Sequence, residues 1–314
     1  MENWHHRRIT SSKPIISPFL GLAFAILAVS ASAIFIRLAQ GDAPSMIIAA
    51  YRLIFASMIL AIPAWVTTKK EIQSLDTKDW LTLLLSGLFL AIHFGSWITS
   101  LEYTSIASSV VIVTTSPLWV AILSPLILKE KIPIPVRWGL VIAMLGGLLV
   151  AGAQSFSADS NMTARTISSS GLWGQFLALL GAIFVAGYLI IGRTMRKTVS
   201  LVTYTFLVYG FAAIFLLGFV LYLDLPLFGY QPQTYLLFLA MAVFPQLLGH
   251  STFNWALKYL PAVVIAIATL GEPVGATLLG YMILNETPRW LEGLGGAVIL
   301  SGIIIASIGN QNKQ

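Results

Sequence analysis

Residues 116–130 read SPLWVAILSPLILKE, and residues 272–286 read EPVGATLLGYMILNE. Each stretch carries proline at its second position and closes on leucine, one polar residue and glutamate. The two stretches lie 156 positions apart, and the same offset joins identical residues along both halves of the chain. These pairs include Arg37 and Arg193, Phe55 and Phe211, Leu101 and Leu257, Tyr103 and Tyr259, Gly139 and Gly295, and Gly146 and Gly302. A constant offset over so long a stretch indicates an internal duplication.

The composition indicates a membrane protein. Of the 314 residues, 57% are hydrophobic and only 10% are charged, and the mean hydropathy is +0.87. Soluble domains carry about 25% charged residues, so this chain has too few charges to cover a surface that faces water. The net charge of +6 does not indicate a nucleic-acid partner, because the basic residues lie in short segments between apolar stretches. The chain has no cysteine, which excludes disulfides and cysteine-based metal sites.

Ten apolar stretches are long enough to cross a lipid bilayer, which takes about 20 residues per helix. Bare backbone finds no hydrogen-bond partner in lipid, so each stretch is predicted to be a helix. The predicted helices cover 18–38, 45–66, 80–101, 106–128, 136–153, 172–192, 201–223, 234–257, 262–284 and 290–308. The sequence therefore predicts an all-α membrane protein of ten transmembrane helices.

The offset divides these helices into two repeats of five. The predicted organisation is a cytoplasmic N-terminal segment 1–17, a first repeat 18–153, an extracellular Ser/Thr-rich linker 154–171, a second repeat 172–309 and a C-terminal tail 310–314. Because five is an odd number, the second repeat must lie upside down relative to the first. Inverted repeats of this kind are typical of alternating-access transporters, which hold the substrate near the midplane between the halves.

Lysine and arginine residues predict the orientation. With a cytoplasmic N-terminus, fourteen of the eighteen basic residues fall on the inner side and three on the outer side, while Arg52 lies within the second helix. The positive-inside rule therefore predicts that both termini are cytoplasmic. Basic residues near the N-terminus, followed by an apolar stretch that ends in ASA at 31–33, also resemble a signal peptide. Cleavage would leave nine helices and break the symmetry, so we expect a multi-pass protein of the inner cell membrane, embedded in the lipid bilayer.

The repeated segments also carry a family resemblance. The motifs of the first half are SPLW at 116–119, LKE at 128–130, WG at 138–139 and GG at 146–147, and those of the second half are EPV at 272–274, LNE at 284–286, Gly295 and Gly302. With these two sets in the same order, the chain resembles the EamA family of the drug/metabolite transporter (DMT) superfamily over nearly its whole length. The resemblance implies a ten-helix carrier whose central cavity is lined mainly by helices 1, 3, 4, 6, 8 and 9. Family members export amino acids, other metabolites or amphiphilic drugs, and some import, so the resemblance does not specify the substrate.

Glu272 is the most informative candidate for a substrate site. It lies about eleven residues into the ninth helix, which at 1.5 Å per residue is ~16 Å from the inner end and close to the midplane. A carboxylate at this depth is costly and therefore a functional candidate, which would bind a substrate amine or carry a proton for coupling. The alternative is a structural glutamate bonded to backbone that Pro273 frees by bending the helix. The repeat places Ser116 at the equivalent position, so the two halves differ in charge here.

Arg52 lies about eight residues into the second helix, ~12 Å from the outer end and at a depth similar to that of Glu272. One hypothesis is that the two residues bind opposite ends of a zwitterion, or pair with each other when the site is empty. The other hypothesis is a structural arginine packed on backbone carbonyls. We favour the second, because the second helix is usually peripheral in the family that the chain resembles.

Helix eight carries Gln246, His250 and Asn254 at i, i+4 and i+8, on one predicted face. A polar face within an apolar helix indicates a cavity, although polar side chains also join helices to one another. Tyr188 on helix six is a further candidate, because an aromatic ring can stack on a substrate or a cation.

Helix three carries His93 and Trp97 at i and i+4. Trp97 aligns with Phe253 in the repeat, and His93 aligns with Gly249, beside His250. We therefore expect the two histidines in opposite halves of the membrane, where they would not share a metal ion. Each is interpreted either as a proton relay or as a structural hydrogen-bond donor.

Small residues at four-residue spacing line helices five and ten. They are Gly139, Ala143 and Gly147 on the former and Gly293, Ala297 and Ser301 on the latter. Such stripes favour close helix packing, either inside the bundle or in a homodimer.

These observations favour a secondary-active or facilitative carrier of small amphiphilic metabolites, with amino-acid or metabolite export by alternating access as the leading interpretation. No Walker motif, glycine-rich phosphate loop or standard catalytic motif is present. We therefore predict neither an ATP-driven pump nor a cofactor or metal, and no enzyme. The alternatives are an intramembrane enzyme that uses His93, His250 and Glu272, an exporter of drugs or lipophilic cations with the same fold, and, more weakly, a lipid scramblase.

Overall fold

The computed structural model describes residue 14 and residues 16–104, 106–155, 169–284 and 290–311, and the regular secondary structure in these ranges is entirely helical. It forms ten helical regions, numbered α1 to α10 in chain order. In the first half, α1 covers Pro18–Ser30 and Ser32–Ala39, α2 covers Ser45–Pro63, Ala64–Thr68 and Lys69–Gln73, α3 covers Thr77–Tyr103, α4 covers Ile106–Val113, Ser116–Leu123 and Ser124–Leu128, and α5 covers Ile134–Ser155. In the second half, α6 covers Ser169–Met195, α7 covers Leu201–Tyr222, α8 covers Pro232–Met241, Ala242–His250 and Ser251–Ala256, α9 covers Ala262–Thr269 and Glu272–Leu284, and α10 covers Trp290–Gln311.

Nine of the helices in the described ranges are long and apolar enough to cross a membrane. The exception is α5, whose apolar stretch Ile134–Val150 is shorter than the others. The predicted spans are therefore confirmed for nine helices, and the tenth is present as a shorter apolar helix. The cytoplasmic placement of both termini stays a prediction, and most of the predicted linker lies outside the described residues.

The helices of the two halves pair in a symmetric pattern. Three helices pack against their own counterparts, as α2 with α7, α4 with α9 and α5 with α10. Two further contacts, α3 with α6 and α1 with α8, exchange with each other when the halves are swapped. This arrangement fits two copies of a five-helix unit that face each other across one central region.

The contact between α5 and α10 depends on glycine. A Cβ atom at Gly139 would lie 2.6 Å from the carbonyl oxygen of Gly302, and one at Gly302 would lie 2.5 Å from the backbone nitrogen of Ala143. Only a hydrogen fits at such distances, so the helices approach closely. On α10 the stripe Gly293, Ala297 and Ser301 is exposed and does not pack inside the bundle, where Gly295 and Gly302 make the contact instead. On α5, Gly147 has open space around it, whereas Gly146 packs on Ile299. The homodimer stays a prediction.

Helices α4 and α9 are interrupted at equivalent positions. The first stops at Val113 and restarts at Ser116, and the second stops at Thr269 and restarts at Glu272. Proline follows each restart, and it is tolerated there because the first turn of a helix leaves its backbone N–H groups unpaired. Two helix N-termini therefore begin near the centre of the bundle.

Candidate functional site

A cavity of about 60 Å³ lies between the two halves, at the interruptions of α4 and α9. Five of its twelve lining residues are apolar or aromatic and seven are polar, so the wall combines both kinds of side chain, as small-molecule sites do. The lining residues are Val29, Ser32, His93, Trp97, Val113, Thr114, Ser116, Val185, His250, Phe253, Thr269 and Glu272. They come from α1, α3, α4, α6, α8 and α9, the six helices that the family resemblance implies.

Glu272 lines this cavity as the first residue of the second segment of α9. Its backbone oxygen accepts a hydrogen bond from Oγ of Ser30 at 3.0 Å. Within the described ranges, no hydrogen bond and no ion pair reaches its carboxylate. The helix N-terminus favours a negative charge at this place. The equivalent residue Ser116 also lines the cavity, so one interruption presents a carboxylate and the other a hydroxyl group.

Arg52 lies one layer behind the cavity wall and is fully buried, with 0% of its surface exposed. Its Nε donates to Oε1 of Gln246 at 2.8 Å, and its Nη1 donates to Oγ of Ser32 at 2.9 Å. Its Cζ lies 4.1 Å from the centre of the Phe94 ring. Side chains of three other helices thus hold the guanidinium, where the sequence analysis favours backbone carbonyls.

Arg52 and Glu272 do not form the direct ion pair that one sequence hypothesis describes. They are near enough to interact electrostatically, but no salt bridge joins them in the described part of the chain. Nη2 of Arg52 is buried without a hydrogen-bond partner among the described residues. Arg52 and Glu272 are therefore neighbouring groups of opposite charge that form no direct salt bridge in the described part of the chain.

His93 and Trp97 form one wall of the cavity, with their rings 5.9 Å apart and nearly parallel at 9°. Nδ1 of His93 lies 2.9 Å from the carbonyl oxygen of Gly181. Because a carbonyl only accepts, this bond assigns the hydrogen to Nδ1 and leaves Nε2 of the neutral ring as an acceptor. Nε1 of Trp97 is a buried donor without a partner among the described residues. The neutral His93 ring thus keeps one acceptor, and Trp97 keeps one donor that no described residue pairs.

The two histidines lie closer together than the sequence analysis predicts. His93 and His250 both line the one cavity and both contact the Phe94 ring, at centroid distances of 4.8 and 5.2 Å. The structure therefore brings the two side chains together at the cavity, and their placement in opposite halves of the membrane stays a prediction. In the described ranges, no group of three histidine or acidic side chains forms a metal-binding cluster.

The predicted polar face of α8 is divided. Between Ala242 and His250 the helix is π-helical, and its wider turns change which side chains share a face. His250 lines the cavity, whereas Gln246 binds Arg52 behind the wall. Asn254 lies deeper still, where its Nδ2 donates to the hydroxyl of Tyr188 at 2.6 Å.

Tyr188 and Asn254 therefore do not line the cavity. Asn254 also donates to the hydroxyl of Tyr209 at 3.2 Å, so this fully buried group joins α6, α7 and α8. The role that these contacts support is helix joining, one of the two alternatives that the sequence leaves open.

Several lining residues escape the sequence analysis. The most relevant are Ser32 and Thr269, which bring hydroxyl groups to the cavity, and Phe253, which brings an aromatic ring. The repeat carries a signal for one of them, because Phe253 aligns with Trp97.

At one end of the bundle, charged groups join the ends of three helices. Nε of Arg193 lies 3.0 Å from Oε1 of Glu130, and Nζ of Lys197 lies 3.7 Å from the same oxygen. Nη1 of Arg193 also donates to the carbonyl oxygen of Leu257 at 2.7 Å. These bonds join the ends of α4, α6 and α8, and we call this cluster the Arg193 latch.

Arg196 lies beside the latch, just beyond the end of α6. Its Nε donates to the carbonyl oxygen of Asn254 at 3.1 Å, and it also donates to the carbonyl of Val199. Burial lowers the pKa of Arg196 to about 10, so the guanidinium stays charged at neutral pH. The repeat equivalent Gln40 makes the matching bond, from Nε2 to the carbonyl of Ile98 at 3.2 Å.

Three relatives resemble this chain over most of its length. A protein of Archaeoglobus fulgidus, named an uncharacterized transporter, is 24% identical over 296 residues, which are 91% of this chain and 96% of that protein. The uncharacterized transporter YetK of Bacillus subtilis is 25% identical over 305 residues, or 94% of this chain and 88% of that protein. The uncharacterized transporter sll1164 of Synechocystis sp. is 25% identical over 256 residues, which are 79% of this chain and 70% of that protein.

A solved crystal structure of a protein superposes on this chain with a TM-score of 0.74 at 16% sequence identity. The superposition covers 95% of this chain and 99% of the other, and it supports the fold alone.

The EamA-like transporter family matches the sequence twice, over residues 16–152 and 172–308. The matches start 156 positions apart, which is the offset of the internal repeat. Together with the apolar helices, they identify a multi-pass membrane protein of a transporter family. Since the two matches cover most of its length, the chain belongs to the EamA-like transporter family.

Proposed function

We propose that this protein is a secondary-active or facilitative carrier of the inner cell membrane that exports amino acids or related small amphiphilic metabolites by alternating access. The observation that carries the proposal is the cavity between the repeats, where Glu272 lies at the interruption of α9 and Arg52 lies one layer behind. Interrupted helices that meet near the midplane are a frequent way of building transporter sites.

Charge balance supports a zwitterionic substrate. Arg52 forms its hydrogen bonds with neutral groups, so Glu272 is the opposite charge that acts on it across the cavity wall. A substrate with one net charge would add an uncompensated charge to a buried site, which is costly in a medium of low dielectric constant. A substrate with one ammonium and one carboxylate group leaves the site neutral.

Glu272 also supplies the simplest route for coupling. A carboxylate that binds the substrate ammonium in one conformation can bind a proton in the other, so that substrate and proton exchange. Coupling of this kind requires the residue to face each side of the membrane in turn, which alternating access provides.

Two other functions have support from particular residues. Glu272 with the rings of Trp97 and Phe253 would also suit a lipophilic cation, although the Arg52 guanidinium opposes a second cation nearby. His93, His250 and Glu272 share one cavity, which gives an intramembrane enzyme its strongest argument. An enzyme would change its substrate chemically, whereas a carrier moves it unchanged.

Flux into proteoliposomes tests the proposal. The purified protein is reconstituted, and uptake of radiolabelled L-alanine, L-leucine, L-phenylalanine and tetraphenylphosphonium is compared with uptake by empty liposomes. Saturable uptake of an unchanged amino acid supports the proposal. Uptake of tetraphenylphosphonium alone favours the cation exporter, and recovery of a chemically altered compound favours the enzyme.

A further inference from the structure

Ser32 links the buried guanidinium to the cavity. It begins the second segment of α1, directly after Ala31, and lines the cavity although only 1% of its surface is exposed. Its Oγ accepts a hydrogen bond from Nη1 of Arg52 at 2.9 Å. Arg52 itself is not a lining residue, so Ser32 is the group through which it meets the cavity.

The hydroxyl hydrogen of Ser32 is uncommitted. Buried serine and threonine side chains in these helices commonly donate to the carbonyl four residues earlier, as Ser30 does to Ile26 at 2.6 Å and Ser96 does to Ile92 at 2.6 Å. Arg52 has only donors, so Ser32 must be the acceptor in their bond. Among the described residues, none accepts a hydrogen bond from Ser32, which leaves its O–H free to donate into the cavity.

The guanidinium increases the strength of this donor. A hydroxyl that accepts from a cation is polarised, and hydrogen bonds to charged groups are about twice as strong as neutral ones. Gln246 and the Phe94 ring hold Arg52 in place, so the positive charge is fixed behind the serine.

Helix α1 also contacts both charged residues of the site. Ser30 donates to the backbone oxygen of Glu272 at 3.0 Å, and Ser32, two residues along, accepts from Arg52. The two serines, which flank Ala31, therefore contact the backbone beside the carboxylate and the guanidinium that polarises the donor.

We infer that Ser32 is a specificity-determining residue, whose O–H donates to the carboxylate of the substrate while Glu272 binds its ammonium group. The inference rests on the proposed function and deepens it. Arg52 then acts as a positioning residue, because it polarises and orients Ser32 without touching the substrate. The positive charge can stay buried throughout the transport cycle.

Matched ligand pairs test this role. Binding to the purified protein is measured for L-alanine, L-leucine and L-phenylalanine, and for ethylamine, 3-methylbutylamine and 2-phenylethylamine, which lack only the carboxylate. In Ser32→Ala the Kd of the amino acid is expected to rise about tenfold or more, because a hydrogen bond to a charged group is lost. The Kd of the matching amine should change by less than about twofold, and Ser32→Thr, which keeps the hydroxyl, should restore amino-acid binding.

The control is Ser30→Ala, which removes a neighbouring buried hydroxyl that binds only backbone oxygens. It should affect an amino acid and its amine equally, because both depend on Glu272. Equal weakening of both ligands in Ser32→Ala, or no change in either, would contradict the role of Ser32 while leaving the carrier in place. If the wild type binds none of the amino acids, the proposed zwitterion site fails, and the assignment of Ser32 fails with it.

Discussion

Arg52 donates from Nε to Oε1 of Gln246 over 2.8 Å, and this bond joins α2 of the first repeat to α8 of the second. Both side chains are fully buried. The repeat places Val208 opposite Arg52 and Leu90 opposite Gln246, so the bond has no copy in the other half. The duplication thus gives two similar halves. Polar residues that are present in only one half, such as Arg52 and Gln246, make the site asymmetric.

The first prediction concerns the balance between Arg52 and Glu272. Arg52→Met and Glu272→Gln each leave the other charge uncompensated in a buried place, so each should destabilise the protein. The double variant removes both charges together, and we expect it to be more stable than the sum of the single effects by about 1–3 kcal/mol. Equilibrium unfolding in mild detergent measures all four proteins. Strictly additive effects would show that the two charges do not interact.

The second prediction concerns the Arg193 latch. The chain has no cysteine, so Val185→Cys places a single thiol in the cavity. Glu130→Gln in this background removes the partner of Arg193, and we expect membrane-impermeant reagents to label the thiol about fivefold faster from the latch side, which corresponds to about 1 kcal/mol.

Lys197→Gln is the matched control for the latch. Lys197 lies 3.7 Å from Glu130, compared with 3.0 Å for Arg193, and its side chain is half exposed. The Lys197→Gln variant should therefore change the labelling rate little. Equal labelling rates of Val185→Cys with and without Glu130→Gln would show that these bonds do not control access to the cavity. The labelled side also tests the predicted orientation, which makes the latch cytoplasmic.

The third prediction concerns the contact of α5 with α10. Gly302→Val places atoms where a Cβ already lies 2.5 Å from the backbone nitrogen of Ala143, so the helices must separate. We expect a loss of about 1–3 kcal/mol in the free energy of unfolding. Gly293→Val, on the same helix with nothing within 4 Å, should cost far less. A similar loss in both variants, measured by thermal unfolding, would point to helix propensity and not to packing.

The fourth prediction concerns Asp42, in the turn between α1 and α2. Its Oδ2 accepts from the backbone nitrogen of Gln231 at 2.8 Å and from Oγ1 of Thr234 at 2.7 Å, and these bonds lower the pKa of its carboxyl below the usual 3.8. A lowered pKa in the folded state adds stability above about pH 4, and this stability disappears as the pH falls through the folded pKa.

Asp42→Asn should therefore lower the melting temperature at pH 7 and flatten its decline as the pH falls below about 4. Thr234→Val, which removes one of the two bonds, should have an intermediate effect. If the melting temperatures of wild type and Asp42→Asn fall equally with pH, this carboxylate does not contribute to acid stability.

Most of the fold can be predicted from the sequence because two strong signals agree. Apolar length identifies the spans, and the constant offset of 156 residues identifies the halves. What the offset does not predict is which face of a helix meets its partner. On α10 the stripe that begins at Gly293 matches the spacing rule but is exposed, whereas Gly302 makes the contact.

The site is predicted less completely, for local reasons. Glu272 and Ser116 lie at the cavity, where an interrupted helix and the repeat place them. The periodicity of α8 misleads because Ala242–His250 is π-helical, so Asn254 does not share the cavity face of His250. Ser32 carries no signal of its own, since a serine beside small residues becomes informative only when its contact with Arg52 is known.

The most direct test of the proposed site is the thermal stability of the detergent-purified protein with and without ligand, in wild type and in Glu272→Gln. A ligand that binds the folded state raises the melting temperature, by an amount that increases with its concentration relative to Kd. The proposed site predicts that a zwitterionic amino acid raises the melting temperature of the wild type and leaves that of Glu272→Gln unchanged. An equal rise in both proteins, or a rise only with cations that lack a carboxylate, would contradict it.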